Sequence, residues 1–241
     1  MLVIYEPRGK AKEYADLAAN LYLGCDHGCK YCYAPAATYK TREAFAEPKN
    51  RTKLLDQLRK EAPSYAGKEV LFCFTCDPYS TFSAESGITR QAIEALHTGD
   101  VHVTILTKGG KRSTADFDLL KAGDKYGTTL TFDNAADSLE WEPGAALPAE
   151  RIAALQEAHD RGIFTWASLE PVIDPQQTLK LIQRSHEFVD LFKVGRWNYD
   201  VRANKIDWRS FAIEVKALLE SIGKEYLLKK DLAVFLERGK P

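Results

Sequence analysis

Three cysteines in a stretch of eight residues form the motif in this sequence best suited to chemistry. Cys25, Cys29 and Cys32 follow the spacing C-x3-C-x2-C, and Gly24 and Gly28 lie next to them. Glycine permits the positive φ angles that a chain wrapping around a metal centre tends to need. Because thiolate sulfur suits both zinc and iron–sulfur clusters, the spacing predicts one metal centre bound by these three side chains.

Three cysteine ligands rather than four point to a reactive centre. A [4Fe–4S] cube has four iron corners, so three protein ligands leave one iron open to an exogenous ligand. An open coordination position usually signals chemistry rather than scaffolding, as at catalytic zinc. One alternative is a zinc knuckle with His27 as the fourth ligand, and another is an electron-transfer cluster with a distant fourth cysteine. Zinc patterns more often show paired C-x2-C units separated by a longer loop.

The whole chain has the composition of an ordinary globular protein. Among its 241 residues, 45% are hydrophobic and 28% are charged, a balance that argues against disorder. We expect a single domain over 1–241, with its core at about 18–200 and a helical extension at 201–241. No apolar run approaches the ~20 residues of a membrane span. The first residues lack the basic-then-apolar order of a secretory signal, so we expect a cytoplasmic protein.

The charge distribution gives only local support for a nucleic-acid partner. Net charge is −1, whereas contacts to backbone phosphates usually come with a basic surface. Residues 193–230 contain nine Lys or Arg and five Asp or Glu, an excess of four positive charges. These basic residues belong either to a solvated helix face or to a surface patch that contacts phosphates.

Short β-type runs alternate with amphipathic stretches along the chain. Strands are predicted at 20–24, 69–75, 101–107, 128–132, 164–169 and 191–194. Helices are predicted at 51–61, 88–97, 114–125, 149–161, 176–186 and 208–222. This alternation predicts βαβ units, arranged as a partial barrel or as an open doubly wound sheet. Polar residues follow each strand, and the carboxyl ends of parallel strands meet at one edge, which predicts one shared site there.

The cysteine motif, with Tyr31 directly before Cys32, resembles the signature of radical S-adenosylmethionine enzymes. The segments 74–79, 88–90, 105–109, 167–171 and 192–195 are similar to the spore photoproduct lyase-like branch of that family. The resemblance covers roughly residues 18 to 200. It implies an α/β fold, a partial (β/α)6 TIM-type barrel of parallel strands, with the cluster at the open mouth.

The resemblance also implies the cofactors and the reaction class. The metal centre would be a [4Fe–4S] cluster on Cys25, Cys29 and Cys32, with S-adenosylmethionine on the open iron. One electron from an external reductant of flavodoxin or ferredoxin type would then cleave the cofactor to a 5′-deoxyadenosyl radical. In the family this radical takes a hydrogen atom from the substrate.

Site residues follow from the resemblance position by position. Asp77 would meet the amino group of the cofactor's methionine part, and Lys108 its carboxylate, as charge-assisted partners. A turn or helix cap at Asp77 and a solvated loop position for Lys108 are the alternatives. The expected cofactor-binding residues are Tyr31, Thr75, Cys76, Asp77, Lys108, Thr131, Glu170, Lys193 and Asn198. The expected catalytic residues are Cys76, Glu170 and Tyr199.

Two cysteines at the second strand depart from the lyase pattern. The lyase uses a cysteine near the end of that strand as a hydrogen donor, and Phe74 stands at the matching position. Strand alternation would put Phe74 and Cys76 on one face and Cys73 on the other. Cys76 is therefore the better candidate for a redox-active thiol, and Cys73 for a small buried residue.

The expected function is a radical enzyme, of lyase or isomerase type, that acts on a nucleotide or a modified base in DNA. The missing cysteine at Phe74 argues against photoproduct repair itself. Trp197 and Tyr199 beside Arg196 and Arg202 would suit stacking on a base, and ordinary packing is the alternative. The competing functions are a radical enzyme for a peptide or a small metabolite, and a non-catalytic zinc or iron–sulfur binding module.

Overall fold

The computed structural model describes residues 2–237, and a sheet of eight strands forms its centre. In chain order the strands are β1 (Ile4–Tyr5), β2 (Ala18–Ala19), β3 (Tyr22–Leu23), β4 (Lys49–Asn50), β5 (Glu69–Phe72), β6 (His102–Thr107), β7 (Lys125–Thr129), β8 (Phe164–Val172), β9 (Leu191–Arg196) and β10 (Glu225–Leu228). The main sheet has the order β1-β2-β5-β6-β7-β8-β9-β10, and β3 pairs with β4 separately. All neighbours from β2 to β10 in this sheet are parallel, and β1 is antiparallel to β2.

Helices follow most of the parallel strands. They are α1 (Ala34–Ala37), α2 (Arg42–Phe45), α3 (Leu54–Glu61), α4 (Thr81–Ser86), α5 (Ile88–Thr98), α6 (Ala135–Trp141), α7 (Pro148–Asp160), α8 (Pro175–Ser185), α9 (Trp208–Ser221) and α10 (Lys230–Glu237). Short 3-10 helices lie at Gly9–Glu13, Ala62–Tyr65, Gly110–Asp116 and Val201–Lys205. Within residues 2–237, no helix combines the length and the apolar composition that crossing a bilayer requires.

Buried apolar side chains from the sheet and the helices form the core. Val103 and Ile105 on β6 are buried, as are Leu96 on α5, Leu155 on α7 and Phe192 on β9. The apolar run on β6 has the pattern of a parallel strand covered on both faces. The alternation of strand and helix therefore yields the predicted α/β architecture, with the carboxyl ends of the parallel strands at one edge.

The strand predicted at 20–24 is displaced: β2 lies before that range, and only β3, which belongs to the separate two-stranded sheet, lies within it. Ala18–Ala19 pairs with β5, and Tyr22–Leu23 pairs with β4. Between them, Asn20 Oδ1 accepts hydrogen bonds from the N–H groups of Phe74 and Thr75, at 2.8 and 2.9 Å. Arg51 Nη1 also donates to the Asn20 carbonyl at 2.6 Å. These bonds turn the chain out of the main sheet just before the cysteine motif.

The helix predicted at 114–125 is wrong. The structure has the 3-10 helix Gly110–Asp116 there, then turns, and β7 begins at Lys125 rather than at 128. Asp124 accepts hydrogen bonds from the N–H groups of Lys121 and Val103, both at 2.8 Å. Such side-chain-to-backbone bonds compete with helical ones. Here they stop the helix and start the strand earlier than its apolar residues indicate.

The segment 201–241, expected to be a helical extension, also contributes a strand. β10 pairs in parallel with β9, from Glu225 opposite Leu191 to Leu228 opposite Val194. It adds a seventh parallel strand to the six that were predicted. The loop after β10 therefore reaches the same edge of the sheet as the loops after the other parallel strands.

Candidate active site

One cavity of about 770 Å³ opens at the carboxyl ends of the parallel strands. Its walls include the cysteine loop, the segments after β5 and β6, the ends of β8 and β9, and the residue that follows β10. Residues from the segment 8–14 complete the wall. The volume lies within the usual range for cofactor and substrate sites.

Backbone contacts fix the cysteine loop. Gly24 has a φ of +93°, and a Cβ atom there would lie 2.5 Å from the Phe45 carbonyl oxygen. Cys25 N donates to that same oxygen at 2.9 Å. The Arg42 guanidinium donates to the Cys29 carbonyl at 3.1 Å. The close approach explains why glycine precedes the first cysteine, and the bonds hold the loop against α2.

The three motif thiols all line the cavity. Burial raises the pKa of Cys25, Cys29 and Cys32, to about 12 for Cys29. In residues 2–237, no three His, Cys, Asp or Glu side chains are arranged to share a single metal ion. A [4Fe–4S] cluster requires no such convergence, because each thiolate binds its own iron. The all-sulfur donor set and the size of the cavity therefore fit a cluster.

His27 is not available as a fourth ligand beside the thiols. It is buried, its Nδ1 atom lies 3.5 Å from Asp77 Oδ2, and its Nε2 atom lies 3.4 Å from Arg112 Nη2. Burial lowers the pKa of the imidazole. Both ring nitrogens of His27 are directed at other side chains, so His27 does not serve as the fourth ligand that a zinc knuckle would need.

Tyr31 is supported by a buried ion pair. Its hydroxyl donates to Glu142 and lies 3.2 Å from Thr131 Oγ1, and Arg151 Nη2 lies 2.6 Å from Glu142 Oε2. Burial alone would raise the pKa of Glu142, but Arg151 and Lys108 together hold it below the ordinary value. Tyr31 itself lines the cavity.

Thr131 was expected to contact the cofactor, and the structure gives it another place. It is buried, its hydroxyl meets Tyr31, and Thr129 lines the cavity instead. The reason is that β7 ends at Thr129, two residues before Thr131. Thr131 therefore supports Tyr31 from behind.

Asp77 and Lys108 are joined at the ends of β5 and β6. Asp77 Oδ2 accepts from Lys108 N at 2.8 Å, and Oδ1 accepts from the Thr107 hydroxyl at 2.6 Å and from Tyr79 N at 2.8 Å. The turn predicted as the alternative for Asp77 is thus present. The Lys108 ammonium lies 5.7 Å from the centre of the Tyr31 ring, so it is directed toward the cysteine loop.

Cys73 and Cys76 do not lie on opposite faces. β5 ends at Phe72, so the alternation of a strand no longer applies to the residues after it. Both cysteines line the cavity together with Thr75. Cys73 is buried and its sulfur also accepts from Leu21 N at 3.5 Å.

Glu170 lies at the centre of a polar cluster at the end of β8. Tyr14 donates to Glu170 Oε2 at 2.6 Å, and Lys229 Nζ donates to the same oxygen at 2.7 Å. The Tyr14 hydroxyl also lies 2.8 Å from Ser168 Oγ. Burial, and then the neighbouring Glu170 carboxylate, raise the pKa of Tyr14 well above its ordinary value. Tyr14 thus keeps its proton and serves as a donor.

Lys193 does not form part of the cavity wall. Its ammonium donates to the Tyr14 carbonyl at 2.8 Å and lies 4.7 Å from the centre of the Trp166 ring. Along β9 the side chains alternate between faces, and Lys193 lies beneath Tyr14. Lys193 is therefore not among the residues that line the cavity, and its contact with cofactor or substrate stays a prediction.

Asn198 and Tyr199 lie at the rim. Asn198 Oδ1 accepts from Lys10 at 2.5 Å and its amide donates to Asp231 at 3.0 Å. Tyr199 lines the cavity but is 87% exposed. Trp197 is buried and packs edge-on against Trp141, with ring centres 5.6 Å apart. Ordinary packing therefore accounts for Trp197, and Tyr199 keeps a free face.

Sequence reasoning missed Tyr14 and Lys229. Both line the cavity and bind Glu170, but neither lies in a recognisable motif. Tyr14 precedes the first strand of the resemblance, and Lys229 follows β10, which was not predicted. Lys229 directly follows a short β-type run, and that position is a signal that could have indicated it. Tyr14 carries no such signal.

Comparison with known proteins places the chain in a family. The family model of the radical SAM superfamily matches residues 19–189. An uncharacterized protein of Methanocaldococcus jannaschii is 25% identical over 163 residues, which are 66% of this chain and 61% of that protein. An uncharacterized protein of Acidianus two-tailed virus is 25% identical over 210 residues, covering 78% of this chain and 66% of that protein. The chain thus spans less than two thirds of the length of these relatives.

Solved structures show the same fold. Spore photoproduct lyase, complexed with dinucleoside spore photoproduct, has a TM-score of 0.68 at 15% identity, covering 92% of this chain and 78% of that one. SuiB of Streptococcus suis, bound to precursor peptide SuiA, has a TM-score of 0.65 at 14% identity, covering 92% of this chain and 50% of that one. The predicted fold is therefore confirmed. The chain belongs to the radical SAM superfamily, whose cofactors are a [4Fe–4S] cluster and S-adenosylmethionine.

Proposed function

We propose that this radical SAM enzyme abstracts a hydrogen atom from a nucleotide or a modified base, free or within DNA, in a reaction of lyase or isomerase type. The composition of the cavity wall carries this proposal. Six cationic residues line the cavity against three carboxylates, although the whole chain has a net charge of −1. The cations are Arg8, Lys10, Arg42, Lys108, Arg196 and Lys229. An anionic substrate would be attracted to such a wall.

Aromatic side chains add to this support. Tyr14, Phe74 and Tyr199 line the same cavity as the cations. Aromatic faces beside positive charge suit a ligand that combines a flat ring with a phosphate. Spore photoproduct lyase, which shares the fold, is complexed with a dinucleoside in its structure.

The residues proposed to hold the cofactors lie on the cysteine loop and at the ends of β5 and β6. Cys25, Cys29 and Cys32 would bind the cluster, and Lys108 would pair with the carboxylate of S-adenosylmethionine. When bound, the two cofactors supply a one-electron cleavage that starts radical chemistry, with the electron coming from an external donor of flavodoxin or ferredoxin type. The Asp77 carboxylate holds Lys108 in place by accepting a hydrogen bond from the Lys108 backbone N–H. Tyr31, Thr75 and Cys76 would line the cofactor's remaining surface.

The wall residues have two further tasks. The hydrogen-bonded Tyr14–Glu170–Lys229 cluster would keep part of the cavity wall fixed in shape and exclude bulk water from it. Cys76 lines the cavity, where its S–H group would donate a hydrogen atom to a substrate-derived radical and become a thiyl radical. Radical chemistry requires such exclusion of solvent, because reactive species are otherwise quenched.

A peptide is the second candidate substrate. SuiB has a similar fold and is bound to a precursor peptide in its structure. A peptide needs backbone hydrogen bonds and does not need a cationic wall, so the charge of the cavity favours the nucleotide. Binding to DNA that weakens steeply with added salt would support the nucleotide, because phosphate contacts release counterions.

The test of the radical activity is anaerobic reconstitution with iron and sulfide, followed by dithionite and S-adenosylmethionine. We expect 5′-deoxyadenosine from the wild-type protein and none from Cys29→Ala. Cys73→Ala is the matched control, because it removes a cavity thiol outside the motif and should keep cofactor cleavage. A colourless protein with one zinc and no 5′-deoxyadenosine would contradict the proposal.

Substrate class is tested with the same preparation. Nucleotides, a DNA duplex and short peptides are each added, and the rate of 5′-deoxyadenosine formation is measured. We expect stimulation by a nucleotide or by DNA. Stimulation by peptides alone would replace the proposed substrate with the second candidate.

A further inference from the structure

The cluster of Tyr14, Glu170 and Lys229 is not explained by cofactor binding. The family model matches residues 19–189, so Tyr14 and Lys229 lie outside the matched segment. Glu170 lies inside it, at the end of β8. Two parts of the chain that lie outside the matched segment thus converge on one carboxylate in the cavity wall. A feature built in this way is a candidate for recognition of the substrate.

Lys229 is the buried member of the cluster, and burying its charge costs free energy. The Lys229 side chain is only 3% exposed, and a buried ammonium loses most of its hydration. Gly195 makes room for the pair, because a Cβ atom there would lie 2.6 Å from Glu170 Cδ and 2.9 Å from Lys229 Cδ. The chain therefore gives space to an ion pair where a packed apolar contact would be at least as stable.

Each charged group has capacity left for a ligand. Both bonds to Glu170 end on Oε2, and in the described part of the chain Oε1 has no hydrogen-bond partner. Lys229 Nζ donates to Oε2 and lies 4.5 Å from the centre of the Tyr14 ring, and an ammonium has three N–H donors. The wall thus presents an acceptor, Oε1, next to a donor, Nζ.

An acceptor beside a donor matches one kind of ligand edge. An N–H group next to a C=O group, as in the imide of a pyrimidine base or the lactam of a purine, would donate to Oε1 and accept from Nζ. Phe74 also lines the cavity, and its ring centre lies 6.2 Å from that of Tyr14 in an edge-on arrangement. Phe74 therefore offers an aromatic face near the same polar edge, on which a planar base would stack.

We propose that Glu170 and Lys229 recognise the N–H/C=O edge of a heterocyclic base, with Tyr14 holding the carboxylate in place. This inference rests on the proposed function, because it names the part of the nucleotide that the cavity reads. The base is bound by Glu170 Oε1 and Lys229 Nζ, and Phe74 contacts its face. Tyr14 is a positioning residue, since its hydroxyl contacts Glu170 and Ser168.

The test compares two probes on the reconstituted holoenzyme with S-adenosylmethionine present. Uridine carries the N–H/C=O edge, and 3-methyluridine has the same ring with the N–H replaced by a methyl group. We expect uridine to bind at least 10-fold more tightly than 3-methyluridine in equilibrium dialysis. The same ratio is expected for inosine over 1-methylinosine. Equal binding of the methylated and unmethylated nucleosides, or binding of neither pair, would overturn the proposal.

Variants assign the discrimination to these residues. Lys229→Met keeps the aliphatic stem, and we expect uridine binding to weaken at least 10-fold. The adjacent Lys230 is exposed, so Lys230→Met is the matched control and should bind uridine as the wild type does. The double variant Glu170→Gln/Lys229→Met removes both charges together, which avoids an unpaired buried charge if the single variant fails to fold. We expect it to bind uridine and 3-methyluridine equally.

The outcomes separate this inference from the proposed function. A preparation that forms 5′-deoxyadenosine but binds none of the four nucleosides contradicts only the recognition by Glu170 and Lys229. A preparation that forms no 5′-deoxyadenosine contradicts the radical activity itself. Discrimination that persists in the double variant would assign base recognition to other residues and overturn the inference. Preferential binding of N-acetylalanine methylamide, with the same dependence on Lys229, would indicate a peptide edge instead.

Discussion

Lys193 is a partly buried lysine on β9, beneath Tyr14 and beside Trp166. It donates to the Tyr14 carbonyl at 2.8 Å and lies 4.7 Å from the centre of the Trp166 ring. Burial, with a smaller contribution from Lys125 and Lys229, lowers the pKa of Lys193 to about 8. The fold therefore disfavours the charged form of the Lys193 side chain. We expect this residue to make the free energy of unfolding depend on pH.

The sign of that dependence follows from proton binding. Between pH 8 and the ordinary value of 10.5 the unfolded chain holds more protons on Lys193, so the free energy of unfolding rises with pH. Between pH 7 and pH 10, we expect the free energy of unfolding of the wild type to rise by roughly 2 kcal/mol relative to that of Lys193→Met. Urea unfolding at several pH values measures it, with exposed Lys60→Met as the control. Parallel curves for wild type and Lys193→Met would contradict the expectation.

Gly127 on β7 is the residue over which the Trp166 ring packs. A Cβ atom at Gly127 would lie 2.2 Å from Trp166 Cε2, so a larger side chain must displace the indole. We expect Gly127→Ala to destabilise the protein by about 1–3 kcal/mol. Denaturant unfolding measures this loss, and the same substitution should cost less in a Trp166→Leu background, where the ring is absent. Equal costs in both backgrounds would mean that the ring is not the cause.

At the scale of elements, the Arg151–Glu142 pair connects α7 to the segment behind the cysteine loop. Arg151 Nη1 donates to the Thr129 carbonyl at 3.0 Å and Nε donates to the Ala146 carbonyl at 2.7 Å. The pair is buried, with side-chain exposures of 1% and 0%. A single guanidinium therefore joins the end of β7, the loop before α7 and the residue that holds Tyr31.

Removing one member of the Arg151–Glu142 pair should destabilise the protein far more than replacing both members together. We expect Arg151→Met to cost about 3–5 kcal/mol, because Glu142 is left as an unpaired buried charge. The double variant Arg151→Met/Glu142→Leu should recover at least half of that loss. Arg161, which follows the same helix and pairs with Glu157 at the surface, is the control, and Arg161→Met should cost less than about 1 kcal/mol. Unfolding in urea measures all of these variants, and a double variant no more stable than Arg151→Met would exclude the ion pair as the cause.

Elements with a long periodic pattern were predictable, and those fixed by side-chain bonds to the backbone were not. The helices α5, α7, α8 and α9 lie within one or two residues of their predicted bounds. The predicted helix at 114–125 fails because Asp124 binds two backbone N–H groups, which only the folded chain brings together. β10 was missed because the short apolar run at its end, 226–228, does not distinguish a strand from a helix.

At the scale of the whole molecule, the two ends of the described chain meet at the rim of the cavity. Lys10, in the 3-10 helix Gly9–Glu13, lies 2.7 Å from Asp231 Oδ2 and 2.5 Å from Asn198 Oδ1. Glu13 accepts from Lys230 N at 2.8 Å. These contacts hold the 3-10 helix against α10 and close one side of the cavity.

The strength of this contact is testable by hydrogen exchange. The ion pair is partly exposed, so it should contribute about 1 kcal/mol. We expect Lys10→Met to speed backbone amide exchange in 9–14 and in the first turn of α10 by about 3- to 10-fold, with other segments unchanged. Lys12→Met, in the same 3-10 helix, should leave these rates as in the wild type. Unchanged rates in Lys10→Met would show that Glu13 and Tyr14 alone hold the segment.

The candidate site was predictable only where its residues lie close together in the sequence. The cysteine loop, Asp77 and Lys108 each belong to a short motif that ends a strand, and all of them line the cavity. Tyr14 and Lys229 are separated by most of the chain and meet only because β10 pairs with β9. Such a pairing leaves no local signal in a single sequence, so two of the three residues in the Glu170 cluster could not be predicted before the fold was known.

The position of β10 at the end of the described chain also has a consequence for biosynthesis. A ribosome releases the cysteine loop long before it releases Lys229, which follows β10 directly. A nascent chain that stops short of β10 therefore carries all three motif thiols while Glu170 still lacks the cation that neutralises it. Products terminated before Lys229 would contain the three motif thiols and lack part of the cavity wall.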